Sequence, residues 1–251
     1  MTNSLETTLT LHLRSQSLTQ RSGKYNEWQP CVVERTLLCN QVAIIVCDMW
    51  DNHWSRGAAE RVNLMVQRMN EVLEIARARG VTIIHAPSET MEFYAGNSAR
   101  KRAMRIPKVT PPNSIEHLDF PLPIDDSDGG SDTGEPGHKR AWTCQHPAIF
   151  IDQKKDYISD NGLQVLGILK KFDVKILLIM GVHTNMCILN RSFAIKQMVR
   201  WGMPIALVRD LTDSLYNPAR PPYVSHAMGT SLVVEYIEKF WCPTITSTDL
   251  L

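Results

Sequence analysis

The sequence predicts an α/β fold, built as a parallel, doubly wound sheet with helices on both faces. Short runs rich in branched apolar residues alternate with longer segments in which apolar residues recur at helical spacing. The short runs are apolar throughout, which is typical of strands buried on both faces. The repeated order of strand and helix is the one expected where parallel strands are joined by helical crossovers.

The predicted elements can be followed along the chain. A strand over 42–47 ends before Asp48, and a helix over 58–79 follows, closed by Gly80 where a C-cap is expected. A second strand over 81–84 ends at His85. The remaining elements are predicted as strand 148–151, helix 163–172, strand 174–180, helix 187–201, strand 204–208, helix 224–240 and a short strand 244–246.

We expect one domain over 1–251, with an N-terminal extension over 1–40 and a long insert at about 88–147. The extension contains a possible strand pair, 8–13 with 32–38, which would add an edge to the sheet. The insert is rich in Pro, Gly, Ser and Asp, and a connection of this length is usually a functional lid or a disordered segment. Its basic cluster, 100–108, is interpreted as a solvated helix face or an oligomer contact.

Composition excludes several classes of function. Of the 251 residues, 43% are hydrophobic and 21% are charged, as in ordinary globular proteins. The net charge of +1 favours neither nucleic acid nor an anionic membrane as a partner, and no apolar run is long enough to span a bilayer. The first twenty residues do not resemble a secretory signal, and the six cysteines form no C-x-x-C pair. A reducing, cytoplasmic setting is the simplest expectation.

The most informative segment runs from Gly181 to Cys187, GVHTNMC, because it joins a predicted strand to a predicted helix. A thiol at the first turn of a helix meets free N–H groups and the positive end of the helix dipole. These features lower a cysteine pKa and favour the nucleophilic thiolate. A buried, inert cysteine is the alternative, since most free cysteines only pack.

Other chemistry-bearing residues stand at strand ends, where ligands bind in open α/β sheets. They are Asp48, His85, Lys154 or Lys155, Cys187 and Asp210. A carboxylate can take the thiol proton and later return it to a leaving group, and a lysine can hold both groups in register by its charge. The thiolate attacks a carbonyl carbon while backbone N–H groups stabilise the oxyanion.

The run VAIIVCDMWD around Asp48, a lysine after the third strand and the GVHTNMC segment together resemble the isochorismatase-like cysteine hydrolases. That superfamily includes nicotinamidases, N-carbamoylsarcosine amidases and isochorismatases. The resemblance covers roughly residues 40 to 250 apart from the insert. It implies a three-layer, Rossmann-like, mostly parallel sheet of six strands, and commonly a homo-oligomer, either a dimer or a tetramer.

The resemblance also implies roles for particular residues. Asp48 corresponds to the general acid and base, Cys187 to the nucleophile, and Val182–His183 to a cis peptide bond. The oxyanion donors would be the N–H groups of Met186 and Cys187. The family spacing favours Lys154 as the third member of the triad, although Asp160 replaces the usual Phe and Lys155 is adjacent.

Several further residues are candidates for substrate binding. Trp50 and Trp54 either wall a pocket or belong to the core, and His53 lies between them. His183 and Asn185 either orient substrate or shape the turn before the nucleophile. Arg191, one helical turn after Cys187, would meet a substrate carboxylate or cap a strand. His85, at the end of the second predicted strand, is the last of these candidates.

No cofactor is expected. The D-x-H metal motif of nicotinamidases is absent after the second strand, where the chain reads HAPSET from His85. A zinc ion near Asp51, His53 and His85 is an alternative, because carboxylate and imidazole suit zinc.

The sequence therefore predicts a hydrolase that cleaves a small amide or carbamoyl-type C–N bond through a thioester, with a small molecule as its only predicted non-self partner. One alternative is isochorismatase-type vinyl-ether hydrolysis, with the Asp as acid. Another is a non-catalytic binding or assembly module that keeps the fold. A dinucleotide-binding oxidoreductase is disfavoured, since no G-x-G-x-x-G follows the first strand.

Overall fold

A computed structural model describes residues 7–20, 23, 25–135 and 139–251. The strands are β1 (Thr8–Gln20), β2 (Asn26–Leu38), β3 (Val42–Cys47), β4 (Thr82–Ala86), β5 (Tyr157–Ile158), β6 (Ile176–Val182), β7 (Ile205–Asp213) and β8 (Thr244–Ile245). The helices are α1 (Arg56–Ala78), α2 (Ser98–Met104), α3 (Gly162–Lys171), α4 (Cys187–Asn190), α5 (Ile195–Arg200) and α6 (His226–Phe240), with short 3-10 turns at Cys39–Gln41 and Ser247–Leu250. Within the described part of the chain, no helix combines the length and apolarity needed to cross a membrane.

The strands form one sheet in the order β2-β1-β8-β7-β6-β3-β4-β5. From β8 to β5 every neighbouring pair is parallel. At the centre, β3 lies between β4 and β6, with Cys47 opposite Ala86 on one side and Gly181 on the other. Because parallel neighbours end at the same edge, the residues that follow β3, β4 and β6 are brought together.

Alternate side chains of β3 enter two separate cores. Ala43 and Ile45 pack with α3, α5 and α6 on one face. Ile44 and Val46 pack with α1 on the other face. All four side chains are fully buried, which explains the uninterrupted apolar run in the sequence. The predicted α/β class with helices on both faces is confirmed, and the sheet has eight strands where the resemblance implied six.

The two additional strands form the N-terminal hairpin. β1 and β2 pair antiparallel over their full length, from Thr8 opposite Leu38 to Gln20 opposite Asn26. β1 joins the sheet through an antiparallel contact between Arg14 and Thr244. The predicted strand pair is therefore present at the sheet edge and is longer than predicted. Its outer half is largely exposed, so the burial pattern that marks a strand in the sequence is weak there.

The predicted strand over 148–151 is wrong. These residues form no strand, and the strand that pairs with β4 is β5. The side chain of Asn70 on α1 donates to the Ala148 carbonyl at 2.6 Å and accepts from the Phe150 N–H at 3.0 Å. A side chain thus takes the place of a strand ladder here, and the buried Ile149 packs in the α1 core.

The single helix predicted over 187–201 is broken into α4 and α5. Arg191 has extended backbone dihedral angles and ends α4. The Ser192 hydroxyl accepts a hydrogen bond from the Gly162 N–H at 3.0 Å, which ties the break to the start of α3. A Cβ on Gly162 would lie 2.0 Å from the Ser192 carbonyl oxygen, so the two segments pack closely only because residue 162 is glycine.

In the insert, the described residues other than α2 lie in turns and irregular structure. α2 carries part of the basic cluster, and two of its arginines have structural partners rather than a solvated role. Arg100 donates to the Ile158 carbonyl at 3.1 Å, and Arg102 donates to the carbonyls of Gln153 and Asp156. Arg100 and Arg102 thus hold the insert against the sheet edge, which corrects the interpretation of these two residues.

Asp156 is the centre of a buried ionic cluster, and its neutralisation is expected to destabilise the fold. Its carboxylate is 1% exposed and accepts hydrogen bonds from Arg77 at 2.7 and 2.9 Å and contacts His85 Nε2 at 3.1 Å. Burial alone would raise the pKa of Asp156, but hydrogen bonds from His85 and Arg77 outweigh it and lower the pKa. We expect Asp156→Asn to reduce the free energy of unfolding by about 3–5 kcal/mol at pH 7, because Arg77 would stay buried without its counter-charge.

Urea unfolding measures this loss. Asp173→Asn is the matched control, since Asp173 pairs with Lys175 on the surface and a pair of this kind contributes about 0–1 kcal/mol. Because the folded-state pKa of Asp156 is lowered, its stabilisation is present above the ordinary carboxyl pKa and declines as pH falls through the folded value. Equal losses in both variants would contradict the prediction.

Candidate active site

Two residues of the predicted triad, Asp48 and Cys187, meet at the carboxyl ends of neighbouring strands. Asp48 directly follows β3, and Cys187 begins α4 after the loop that follows β6. The Cys187 thiol interacts with the Asp48 carboxylate. The thiol and the carboxylate, which follow neighbouring strands, thus lie next to each other.

The loop between β6 and α4 is fixed by its backbone. Gly181 has φ of +118°, and a Cβ there would lie 2.0 Å from the Cys47 carbonyl oxygen, so only glycine fits. The Val182–His183 peptide bond is cis, as the resemblance implied. The Thr184 hydroxyl bonds that of Thr212 at 2.7 Å, and its N–H donates to the Asp213 carbonyl at 2.9 Å. These bonds tie the loop to β7.

Asp48 is fully buried and held from two sides. The Ser88 N–H donates to Oδ1 at 2.7 Å, and Arg191 Nε donates to Oδ2 at 2.8 Å. Burial raises the pKa of Asp48, while Arg191, Cys187 and Ser88 oppose that rise. The carboxylate therefore meets the thiol in a fixed orientation and with a greater affinity for a proton than an exposed aspartate.

The pKa of the Cys187 thiol is raised, which is contrary to the argument from its position at a helix start. Burial raises this pKa most, the Asp48 charge raises it further, and Arg191 lowers it. The helix that follows has only four residues, so its dipole is small compared with a buried carboxylate in contact. In the resting site the proton therefore stays on the sulfur, and Asp48 is positioned to accept it.

The structure does not bring Lys154 to this site. Lys154 and Lys155 are exposed in the turn before β5, where both N–H groups bond Asp152 Oδ1. Lys155 lines a separate cavity beside Arg77 and Phe150. Among the described residues, the cation in ion-pair contact with Asp48 is Arg191. The predicted lysine is thus misplaced because it was counted from the strand at 148–151, which does not form.

Cys187 opens into a cavity of about 510 Å³. One wall is aromatic, with the Trp50 and Trp142 rings stacked at a centroid distance of 4.1 Å. The His53 ring lies 5.7 Å from Trp142 in a stacked geometry and 5.3 Å from Trp54. Trp50, His53 and Trp54 thus line the same cavity as Cys187. Trp142 was missed, because nothing in the irregular sequence of the insert indicates where it folds.

The insert supplies the mouth of the cavity. Glu89, Lys139 and Arg140 line it from this segment, and Arg140 donates to the Glu89 carbonyl. A larger cavity of about 660 Å³ lies beside it and shares Glu89, Arg140 and Trp142 with it. Of these two cavities, Cys187 lines only the smaller.

His183 also lines the cavity and carries a polar atom without a partner among the described residues, Nε2. The residue is 2% exposed. Burial lowers its pKa to about 3, with a further contribution from His53, so the ring is neutral across the physiological pH range. A neutral imidazole can donate or accept one hydrogen bond at this position but supplies no positive charge.

Asn185 and His85 are both held by hydrogen bonds within the protein, and for Asn185 this is the second of the two predicted alternatives, shaping the turn. The Asn185 amide donates to Asp126 at 2.8 Å and to the Leu215 carbonyl at 3.1 Å, and its oxygen accepts from the Leu215 N–H at 2.9 Å. It therefore shapes the turn before Cys187. His85 is fully buried between Gln145 and Asp156, outside the cavity.

The two predicted oxyanion donors differ. The Met186 N–H donates to the His183 carbonyl at 3.0 Å within the turn. The Cys187 N–H has no acceptor among the described residues and lies beside the thiol. The main chain at Cys187 is therefore the better-placed donor for a developing oxyanion.

The side chains considered for zinc are held apart by other bonds. Asp51 accepts hydrogen bonds from the N–H and hydroxyl of Thr143 at 2.8 and 2.6 Å. His85 is enclosed as described above, and His53 stacks in the aromatic wall. Over the described ranges, no group of three or more His, Cys, Asp or Glu side chains has the arrangement of a metal site.

Asp210, another strand-end residue, accepts hydrogen bonds from the N–H and hydroxyl of Ser247.

Comparison with solved structures identifies the fold. No protein-family model matches the sequence, and no curated protein matches it significantly. A cysteine hydrolase from Pseudomonas syringae pv. phaseolicola 1448A is 17% identical, with a TM-score of 0.51 over 84% of this chain and 91% of that one. An isochorismatase from Pseudomonas putida KT2440 is 12% identical, with a TM-score of 0.52 over 85% of this chain and 91% of that one. The protein therefore has the fold of the isochorismatase-like cysteine hydrolases.

Proposed function

We propose that the protein is a cysteine-dependent hydrolase that cleaves a small amide or carbamoyl-type C–N bond through a thioester. The observation that carries the proposal is the contact of the Cys187 thiol, which lines a cavity, with the buried Asp48 carboxylate. The fold shared with a cysteine hydrolase supports it. A thiol paired with a base is the usual arrangement for nucleophilic catalysis at a carbonyl carbon.

In the first half of the proposed reaction, Asp48 accepts the thiol proton while sulfur bonds to the carbonyl carbon. The carbonyl π electrons move to oxygen, and the Cys187 N–H stabilises that oxyanion. When the tetrahedral intermediate collapses, the C–N bond breaks and Asp48 returns its proton to the leaving nitrogen. The products of this half are an amine, or ammonia, and an acyl group on Cys187.

In the second half, Asp48 takes a proton from water as the water oxygen attacks the thioester carbon. The C–S bond then breaks, the carboxylic acid leaves, and the sulfur regains a proton from Asp48. The raised pKa of Asp48 suits both halves, because a base that must also act as an acid works best with a pKa nearer the operating pH.

The lining of the cavity favours a small, flat substrate. The stacked Trp50 and Trp142 rings offer an aromatic face. His183 Nε2, which has no partner within the described part of the chain, offers one polar contact. We further propose that the protein works in a reducing compartment, since the mechanism needs a free thiol. All six cysteines lie among the described residues and are free.

Ammonia release from a panel of small primary amides and N-carbamoyl compounds tests the proposal. We expect at least one flat member to be hydrolysed with saturation kinetics, and the acid product to appear in equal amount. Preincubation with iodoacetamide should abolish the activity in proportion to alkylation at Cys187. Turnover that continues after complete alkylation of Cys187 would contradict the proposed mechanism.

A further inference from the structure

Arg191 occupies an unusual position for a residue one helical turn after a nucleophile. Its N–H bonds the Cys187 carbonyl at 3.0 Å, so its side chain starts on the same side of α4 as the thiol. The guanidinium reaches Asp48 Oδ2 at 2.8 Å through Nε and Glu89 Oε1 at 3.1 Å through Nη1. It also lies 5.9 Å from the Trp50 ring centre. Four neighbours thus define its place.

The groups that face this guanidinium are mainly carboxyl and thiol groups. Asp48 and Cys47 belong to β3 and its end, Cys187 to α4, and Glu89 to the insert. Lys139 and Arg140 line the same cavity but are exposed at its mouth. Burial alone would lower the pKa of Arg191, but Asp48 and Cys187 outweigh burial and raise it, so the side chain stays charged.

Resting on the proposed function, we infer that Arg191 is the positioning cation of this site, in place of a lysine. Its Nε–H orients the Asp48 carboxylate, and its charge stabilises the thiolate that forms when Asp48 takes the proton from Cys187. Glu89 holds the other side of the guanidinium, so the cation is directed at Asp48. This role differs from binding a substrate carboxylate, because Nε and Nη1 of Arg191 already bond carboxylates of the protein, those of Asp48 and Glu89.

Thiol alkylation tests this role without any substrate. The rate of iodoacetamide labelling at Cys187 is measured by mass spectrometry against pH, with the exposed Cys31 in the same chain as an internal reference. We expect Arg191→Met and Arg191→Gln to lower the Cys187-to-Cys31 rate ratio about tenfold at pH 7.5 and to move the Cys187 profile to higher pH by about one unit. Arg191→Lys, which keeps the charge, should stay within about threefold of the original protein.

Arg200→Met is the matched control, because Arg200 is also an arginine at the end of a short helix but pairs with Asp119 on the surface. It should leave the Cys187 profile unchanged. An unchanged profile in Arg191→Met or Arg191→Gln would overturn the inference, and so would an Arg191→Lys profile equal to that of Arg191→Met. If the Met variant does not fold, the Gln and Lys variants decide by the same criteria.

The outcome is distinguishable from failure of the proposed function. If the protein hydrolyses no amide in the panel but the Cys187 labelling profile moves with the charge at position 191, the inference about Arg191 stands and the proposed reaction is wrong. If the protein hydrolyses amides but the Cys187 labelling profile is unchanged in all Arg191 variants, the proposed reaction stands and the inference about Arg191 is wrong.

Discussion

Replacing Cys187 by Ala should reduce amide turnover at least about a thousandfold while leaving the fold intact. Losing the nucleophile of a unit that works together typically removes nearly all of its rate enhancement. The cavity and the hydrogen bonds on Asp48 from Ser88 and Arg191 do not depend on the thiol, so substrate binding should change little. The measurement is kcat and KM on the best substrate from the amide panel, with thermal unfolding as a check on folding.

Cys144→Ser is the matched control. Cys144 is half-buried like Cys187 but lies outside the cavity lined by the nucleophile, and its serine variant should keep kcat within about twofold. In the original protein, acid quenching during turnover should trap the acyl group on Cys187, seen as a mass increase on that peptide alone. Full activity in Cys187→Ala would exclude the thioester and favour vinyl-ether hydrolysis with Asp48 as the acid.

The sequence predicts the centre of the molecule well because burial there is complete. β3 is apolar at every position, so its end, and hence Asp48, could be placed to the residue. The glycine before Cys187 is required by the close approach to the Cys47 carbonyl, which makes the GVHTNMC segment recognisable. Strand ends fixed by two-sided burial thus identify the thiol and the carboxylate.

The rest of the site depends on contacts between segments that are distant in sequence, and the local sequence pattern does not predict such contacts. The apolar run at 148–151 has the composition of a strand, but Asn70 satisfies its backbone instead. This displaces the lysine counted from it. Trp142 reaches the cavity through an irregular insert, so no periodicity marks it.

Arg191 shows the difference between finding a residue and finding its partner. Its spacing from Cys187 predicts that it lies near the thiol, and the structure places it there. Its partner, Asp48, is 143 residues away in sequence, and only the parallel pairing of β3 with β6 brings the two together. The sequence offers a substrate carboxylate or a strand end as the partner of Arg191, and the observed partner is the carboxylate that directly follows β3.

Replacing Asp48 by Asn should lower kcat by about two to four orders of magnitude with a smaller effect on KM, because proton transfer is lost while the cavity remains. An amide oxygen can still accept from the Ser88 N–H, so the loop after β4 should keep its place. Asp119→Asn is the matched control, since Asp119 forms surface pairs with Lys196 and Arg200. Similar kinetics for Asp48→Asn and the original protein would remove Asp48 from the mechanism.

The pH profile separates this role from a merely structural one. Burial raises the pKa of Asp48 above its ordinary value of 3.8, so the carboxyl group gains its proton at a higher pH than an exposed aspartate. Protonated Asp48 cannot accept the thiol proton, and kcat/KM should therefore fall as pH decreases through a midpoint above 3.8. His183, with its pKa lowered to about 3, stays neutral through that midpoint and does not contribute. The acidic limb should be absent from the residual activity of Asp48→Asn, and its persistence at the same midpoint would assign the limb to another group.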